Sequence, residues 1–197
     1  AMADDIVDRN YGKLVEIKKN VSKEKSILND IEIDRLNKLA KSGDEKAMTI
    51  LILIYTGLRI GELLILTRFD VDLKEKIIKG GIKTDAGKNR IVPIHPKILS
   101  YVKHWHKKGT DILITRDGSK MTDDYFRRSW WYPTLEKAGV SKLTPHSTRH
   151  TCATLLSRAG ADHLAIQRIL GHSKYSTSAD LYTRTDIDML RNEIVKI

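Results

Sequence analysis

Apolar residues recur at helical spacing along most of the chain, and the breaks fall at glycines, prolines or capping residues. After Asn29, which can cap a helix with Glu32 at its third position, Ile33, Leu36 and Ala40 share one face. Gly43-Asp44 ends that helix and starts the next. From Glu45 to about Tyr55, Met48, Ile50, Leu51, Leu53 and Ile54 leave almost no polar side, which predicts a central buried helix closed by Gly57. A turn follows at residues 70–72, and from Lys76 the period shortens. Ile77-Ile78-Lys79, Ile82-Lys83-Thr84 and Arg90-Ile91-Val92-Pro93-Ile94 read as three short antiparallel strands, the last two joined by a Gly-containing hairpin loop at residues 85–89.

Helical spacing returns at residues 96–108, with Ile98, Leu99, Val102 and Trp105 on the buried side. A brief extended segment, Ile112-Leu113-Ile114, precedes a turn at Asp117-Gly118. Thr122 then caps a helix carrying Tyr125, Phe126, Trp130, Trp131 and Leu135, which Pro133 is expected to kink or divide. Thr144 and Pro145 suit the cap and first position of another helix, whose apolar stripe ends at Gly160. Ile166, Ile169 and Leu170 repeat the stripe and end at Gly171. Ser176-Thr177-Ser178 is expected to cap a short helix bearing Tyr182. The pattern predicts an α+β, mainly α-helical domain with a small three-stranded antiparallel sheet.

The ends change this picture little. Ala1-Met2-Ala3 has the look of a cloning scar, and residues 4–27 are polar, Lys-rich and weakly periodic, as in an interdomain linker. Residues 28–185 form the expected domain. The tail, 186–197, carries Ile187, Leu190 and Ile194 at helical spacing with little chain left to fold against, so it is expected to dock on a neighbouring protomer. A length of 197 residues suits one well-buried domain. Thirty-five basic against 25 acidic residues give a net charge of +10, which points to a polyanionic partner. The single cysteine, Cys152, excludes an internal disulfide and a Cys-rich zinc site and fits a cytoplasmic location. The longest apolar run, 47–55, is far short of the ~20 residues of a membrane span, so no membrane partner is expected.

Candidate chemistry concentrates between Thr144 and Tyr182. His146 and Arg149 fall in one helical first turn, where the dipole and unpaired backbone N–H groups favour an anion. An arginine fork matches two phosphate oxygens, and a histidine adds a hydrogen bond or moves a proton. His146 and His150 also have the i, i+4 spacing of zinc-binding helices, but His146 is not followed by the Glu of an H-E-x-x-H motif. Arg59, at the end of the buried helix, is either one half of a structural pair with Glu62 or a second phosphate clamp that Glu62 orients. Lys79, Lys83, Lys88 and Arg90 crowd the hairpin, as edge-strand charges or as DNA contacts. Arg127 and Arg128 are further candidates for phosphate contacts. Leu170-Gly171-His172 and the lone Tyr182 complete a set with one logic. Two arginines and a histidine neutralise a pentacoordinate phosphorus, a tyrosine attacks it, and a lysine protonates the leaving oxygen, with neither metal nor cofactor required.

These residues resemble the tyrosine recombinase (phage integrase) family. The first arginine motif is similar to Thr56-Gly57-Leu58-Arg59-Ile60-Gly61-Glu62-Leu63, and the hairpin lysine is matched by Lys83. The H-x-x-R box is matched by His146-Ser147-Thr148-Arg149, although Ser147-Thr148 stand where Asp-Leu is frequent. Leu170-Gly171-His172 and Tyr182 match the last box and the nucleophile. The resemblance implies a catalytic domain with Arg59, Lys83, His146, Arg149, His172 and Tyr182 as its active site. It implies a site-specific recombinase or integrase of a phage or integrative mobile element, cutting and rejoining attachment sites in double-stranded DNA through a 3′-phosphotyrosine and a Holliday junction. It further implies a monomer alone and a homotetramer on DNA, accessory directionality factors, and an N-terminal core-binding domain that is absent from this sequence. A type IB topoisomerase and a non-catalytic DNA-binding regulator are the rivals. The compact spacing from His146 to Tyr182 disfavours the first, and the intact six-residue set the second.

Overall fold

The computed structural model describes residues 26–80, 90–108, 110–171 and 184–197. The first helix, α1 (Asp30–Lys41), starts at the expected capping box: Asn29 accepts from the Glu32 backbone N–H, and Glu32 accepts from that of Asn29. Glu32 is itself buried, and its other carboxylate oxygen accepts from the Ser141 N–H at 2.9 Å. The cap therefore also anchors a loop far along the chain.

The next helix, α2 (Glu45–Thr56), is the axis of the core, with every residue from Ala47 to Thr56 buried. It packs on α1 and on α7 (His146–Arg158). Each fully buried aliphatic side chain contributes about 1.5–3 kcal/mol, so this helix is held by packing and not by its own propensity. Asp44 caps it through the N–H groups of Lys46 and Ala47. Gly57 ends it with φ +61°, and a Cβ there would lie 2.5 Å from a Leu170 methyl carbon, so only glycine fits the turn and its close neighbour.

The short α3 (Ile60–Leu63) leads to a 3₁₀ turn, Arg68–Asp70, and then to the sheet. As expected, the sheet has three antiparallel strands, in order β1 (Val71–Asp72), β2 (Ile77–Gly80) and β3 (Arg90–Pro93). Its membership differs from the expectation. Val71-Asp72, read as a turn, is the first strand, because Asp72 and Val71 pair with Ile77 and Ile78. Ile82-Lys83-Thr84 and its loop lie outside the described residues.

Beyond the sheet come α4 (Leu99–Lys108), α5 (Asp123–Tyr125), a π-helical turn at Phe126–Trp131 and α6 (Tyr132–Lys137). Pro133 explains the break. It has no N–H to offer the carbonyl four residues back, and that carbonyl, Ser129 O, accepts from Lys46 Nζ at 3.2 Å instead. Trp105, Phe126, Trp130 and Trp131 are core residues, as read from their spacing.

Two helices complete the fold, α8 (His163–Leu170) and α9 (Arg184–Ile194). Part of the tail's apolar face packs within the chain: Leu190 and Ile194 are fully buried, Ile187 is half-buried, and α9 packs on β3 and α8. Arg168 pairs with Asp186 at 2.7 Å, and Arg191 reaches both the backbone carbonyl and the carboxylate of Glu75. The helical period correctly marked a buried face but could not say which surface buries it.

Candidate active site

The Arg59 turn, the start of β3 and the ends of α7 and α8 meet beneath Gly57. Arg59 occupies the capping position of α3, and its guanidinium is 39% exposed. Glu62, 2% exposed, accepts from Arg59 twice, from Nη1 at 2.8 Å and from the backbone N–H at 2.8 Å. The two readings of this pair are thus one arrangement: the ion pair is structural, and it fixes an arginine whose head remains open to solvent.

Arg149 sits one turn into α7 and is 5% exposed. Its Nη1 donates to the Gly57 carbonyl at 2.9 Å, joining the two arginine motifs through the glycine that ends α2. Its Nη2 is buried and has no hydrogen-bond partner among the described residues. An unpaired buried guanidinium nitrogen is costly, and an anion is what would satisfy it. Burial, then the charges of Arg59 and Arg90, lower its pKa to about 10, which leaves it protonated at neutral pH.

The helix start differs in detail from the expectation. Pro145, not Thr144, stands at the capping position, and no side chain caps it. The N–H groups of Ser147 and Thr148 are already taken by the carbonyls of Thr144 and Pro145. The helix therefore favours an anion here through its dipole more than through free donors. His146 is exposed, unlike Arg149, and its ring meets that of His150 edge-on at 4.6 Å. Among the described residues no three His, Cys, Asp or Glu side chains gather as a metal site. Cys152 is wholly buried, and burial pushes its thiol up to about 12, so it is no nucleophile at neutral pH.

Arg90 corrects another expectation. Placed among the DNA contacts from sequence, it is 2% exposed and faces inward. Nη2 donates to Glu62 at 2.8 Å and Nη1 to the Leu170 carbonyl. A guanidinium so enclosed does not reach a DNA backbone. The signal was present: at period 2, Arg90 shares parity with Val92 and Ile94, both of which are buried. Burial on its own would raise the Glu62 pKa, but the charge of Arg90 and the hydrogen bonds from Arg59 outweigh it and hold the carboxyl below its usual 4.5.

Of the remaining candidates, Lys79 is exposed on β2. Arg127 pairs with Asp123 at 2.9 Å and Arg128 with Asp124, both one turn apart on the surface. Lys83, Lys88, His172 and Tyr182 lie outside the described residues. Arg59 and Arg90 thus pair with one buried carboxylate, and a third guanidinium, that of Arg149, carries a buried nitrogen without a hydrogen-bond partner among the described residues. That set of donors suits an anionic phosphoryl group.

Comparison with known proteins bears on the same stretch. The sequence model described as "Phage integrase family" matches residues 26–188. The tyrosine recombinase XerA of Thermococcus kodakarensis is 34% identical over 169 residues, which cover 81% of this chain and 58% of that protein. The chain therefore spans little more than half the length of that relative. A crystal structure of XerA recombinase superposes with a TM-score of 0.67 at 32% identity, over 85% of this chain and 63% of that one. The Tn1549 transposon integrase, solved in complex with transposon right end DNA, shares the fold with a TM-score of 0.71 at 24% identity, over 98% of this chain and 73% of that one. No helix among the described residues is long and apolar enough to cross a membrane.

Proposed function

Because this chain belongs to the phage integrase family, we propose that it carries the catalytic centre of a site-specific DNA recombinase that breaks and rejoins double-stranded DNA through a tyrosine ester. The observation that carries the reading is the buried, unpartnered Nη2 of Arg149 beside Arg59, two arginines from distant motifs joined through the Gly57 carbonyl. Arg59 and Arg149 bind the non-bridging oxygens of the scissile phosphate, and their charge offsets what builds up at pentacoordinate phosphorus. Glu62 orients Arg59. His172 adds a hydrogen bond to the same oxygens. The Tyr182 oxygen attacks phosphorus, with His146 assisting removal of its proton. The new phosphorus–oxygen bond forms as the bond to the deoxyribose 5′-oxygen breaks, and Lys83 protonates that leaving oxygen. The chain is left on the 3′-phosphate, and a free 5′-hydroxyl reverses the step on the same strand or a partner strand. No net energy input is needed, since one phosphodiester replaces another.

Further steps rest on the family resemblance: a homotetramer assembled on two duplexes, a Holliday junction, directionality factors, and an origin in a phage or integrative element. Lys79, Lys88, Arg127 and Arg128 supply contacts along the DNA backbone.

Covalent trapping tests the reading. A pool of nicked duplexes of randomised sequence is incubated with the protein at low salt and resolved on a denaturing gel. A protein–DNA adduct that disappears in Tyr182→Phe is expected; the same adduct in Tyr182→Phe refutes the assignment. Relaxation of a supercoiled plasmid without strand exchange would favour the topoisomerase reading.

A further inference from the structure

Arg90 bridges two turns. Its Nη2 meets Glu62, which in turn holds Arg59 by side chain and backbone, and its Nη1 meets the carbonyl of Leu170. Leu170 ends α8, and the next residue, Gly171, adopts φ +65°. Gly171 also admits Arg90: a Cβ at that position would lie 2.7 Å from Nη1 and 2.9 Å from Cδ. Arg90 itself opens β3.

We propose that Arg90 is a positioning residue that locks the Arg59 turn, the start of β3 and the Leu170–Gly171 turn into one block, so that the anion-binding groups are assembled before DNA arrives. This rests on the recombinase reading given above. Burying a guanidinium is expensive unless its donors are satisfied, so a 2% exposed arginine marks a place where its planar fork is needed. Lysine keeps the charge but presents a single ammonium, which does not span a carboxylate on one side and a carbonyl on the other at fixed angles. Arg149 differs in kind. Its Nη2 is left for a ligand, whereas both terminal nitrogens of Arg90 are engaged by the protein. Arg59 and Arg149 come from separate elements, α3 and α7, and a displacement of even 1 Å among such groups costs on the order of 10²-fold in rate.

The test compares Arg90→Met and Arg90→Lys with wild type and Lys79→Ala, using three probes. Orthovanadate, a mimic of five-coordinate phosphorus, is titrated by thermal shift. Duplex DNA of randomised sequence is bound across a salt series by fluorescence anisotropy. The randomised nicked duplex pool reports adduct formation. Both Arg90 variants are expected to lose about 10–100-fold in vanadate affinity and adduct rate, with duplex affinity and salt slope unchanged. A salt slope lowered by about 1, with lysine restoring activity, would instead make Arg90 a phosphate contact and overturn the proposal. If Arg90→Met does not fold, Arg90→Lys, which keeps a buried charge opposite Glu62 and leaves the Arg59–Glu62 pair in place, is read alone by the same probes. A wild-type chain that binds vanadate without forming an adduct defeats the recombinase reading and leaves Arg90 to be decided by vanadate. A wild-type chain that does neither overturns both.

Discussion

Two sets of arginines in this protein have the same chemistry and opposite circumstances. Arg127 and Arg128 each face an aspartate one turn away on the solvent side of a helical segment whose other side is core. Arg90 and Arg149 lie at 5% exposure or less among the ends of three elements. On the surface, water screens the pair, and each is worth about 0–1 kcal/mol. In the interior little screens them, so a donor nitrogen left without an acceptor is costly, and Arg149 Nη2 is such a nitrogen. Burial, rather than residue type, separates a charge that water screens from one whose hydrogen bonds each carry weight.

The sharpest way to break this comparison is Arg149→Ala. It removes the unpaired donor, and adduct formation should fall by about 10³-fold while binding to duplex DNA changes little; a loss below tenfold would place Arg149 among the ordinary surface charges. Gly57→Ala should follow. The added methyl meets Leu170 in a left-handed turn, so unfolding in urea should show about 2–4 kcal/mol of destabilisation, with adduct formation reduced because the Arg149 acceptor shifts.

Acid provides a third test, outside the arginine cluster. His95 is buried, and burial followed by the charge of Lys97 lowers its pKa to about 4. Its depressed value means that the unfolded state takes up the proton first. Stability is therefore full above pH 6.5 and falls as the pH drops toward 4, by up to about 3 kcal/mol. His95→Gln should flatten the melting temperature across that window. Glu62 acts lower on the scale: its contribution is complete above its unfolded value of 4.5 and is lost as the pH falls below it, so Glu62→Gln should flatten only that acid limb.

The smallest effect belongs to the exposed set. Arg127→Ala and Arg128→Ala should each change stability by less than about 0.5 kcal/mol. If they contact phosphates, each should reduce the salt slope of DNA binding by about 1, uniformly across sequences.

Both the successes and the errors of sequence reading have local causes. The capping box at Asn29, the all-apolar α2 and the glycine ends at Gly57 and Gly171 could be read directly, because each depends on residues within one or two turns. The first strand was missed because Val71-Asp72 contains only two residues, too few for a period, and exists only by pairing with β2. In the tail, a periodic stripe tells which face is buried and not what covers it, so its packing on β3 and α8 is visible only in the fold. Arg90 was grouped with the hairpin lysines by charge, although its parity with Val92 pointed inward.

What the sequence determined by itself is the family, the mainly helical class with a small sheet, and the identities of the candidate active-site residues, since each follows from short motifs in a fixed order. What only the tertiary structure decided is which charges are enclosed and which carbonyls receive them. Gly57 accepts from Arg149, and Leu170 and Glu62 accept from Arg90, across separations that no local pattern encodes. The physical reason is that a guanidinium gains or loses its strength through the water around it, and that water is removed only when distant segments close over it.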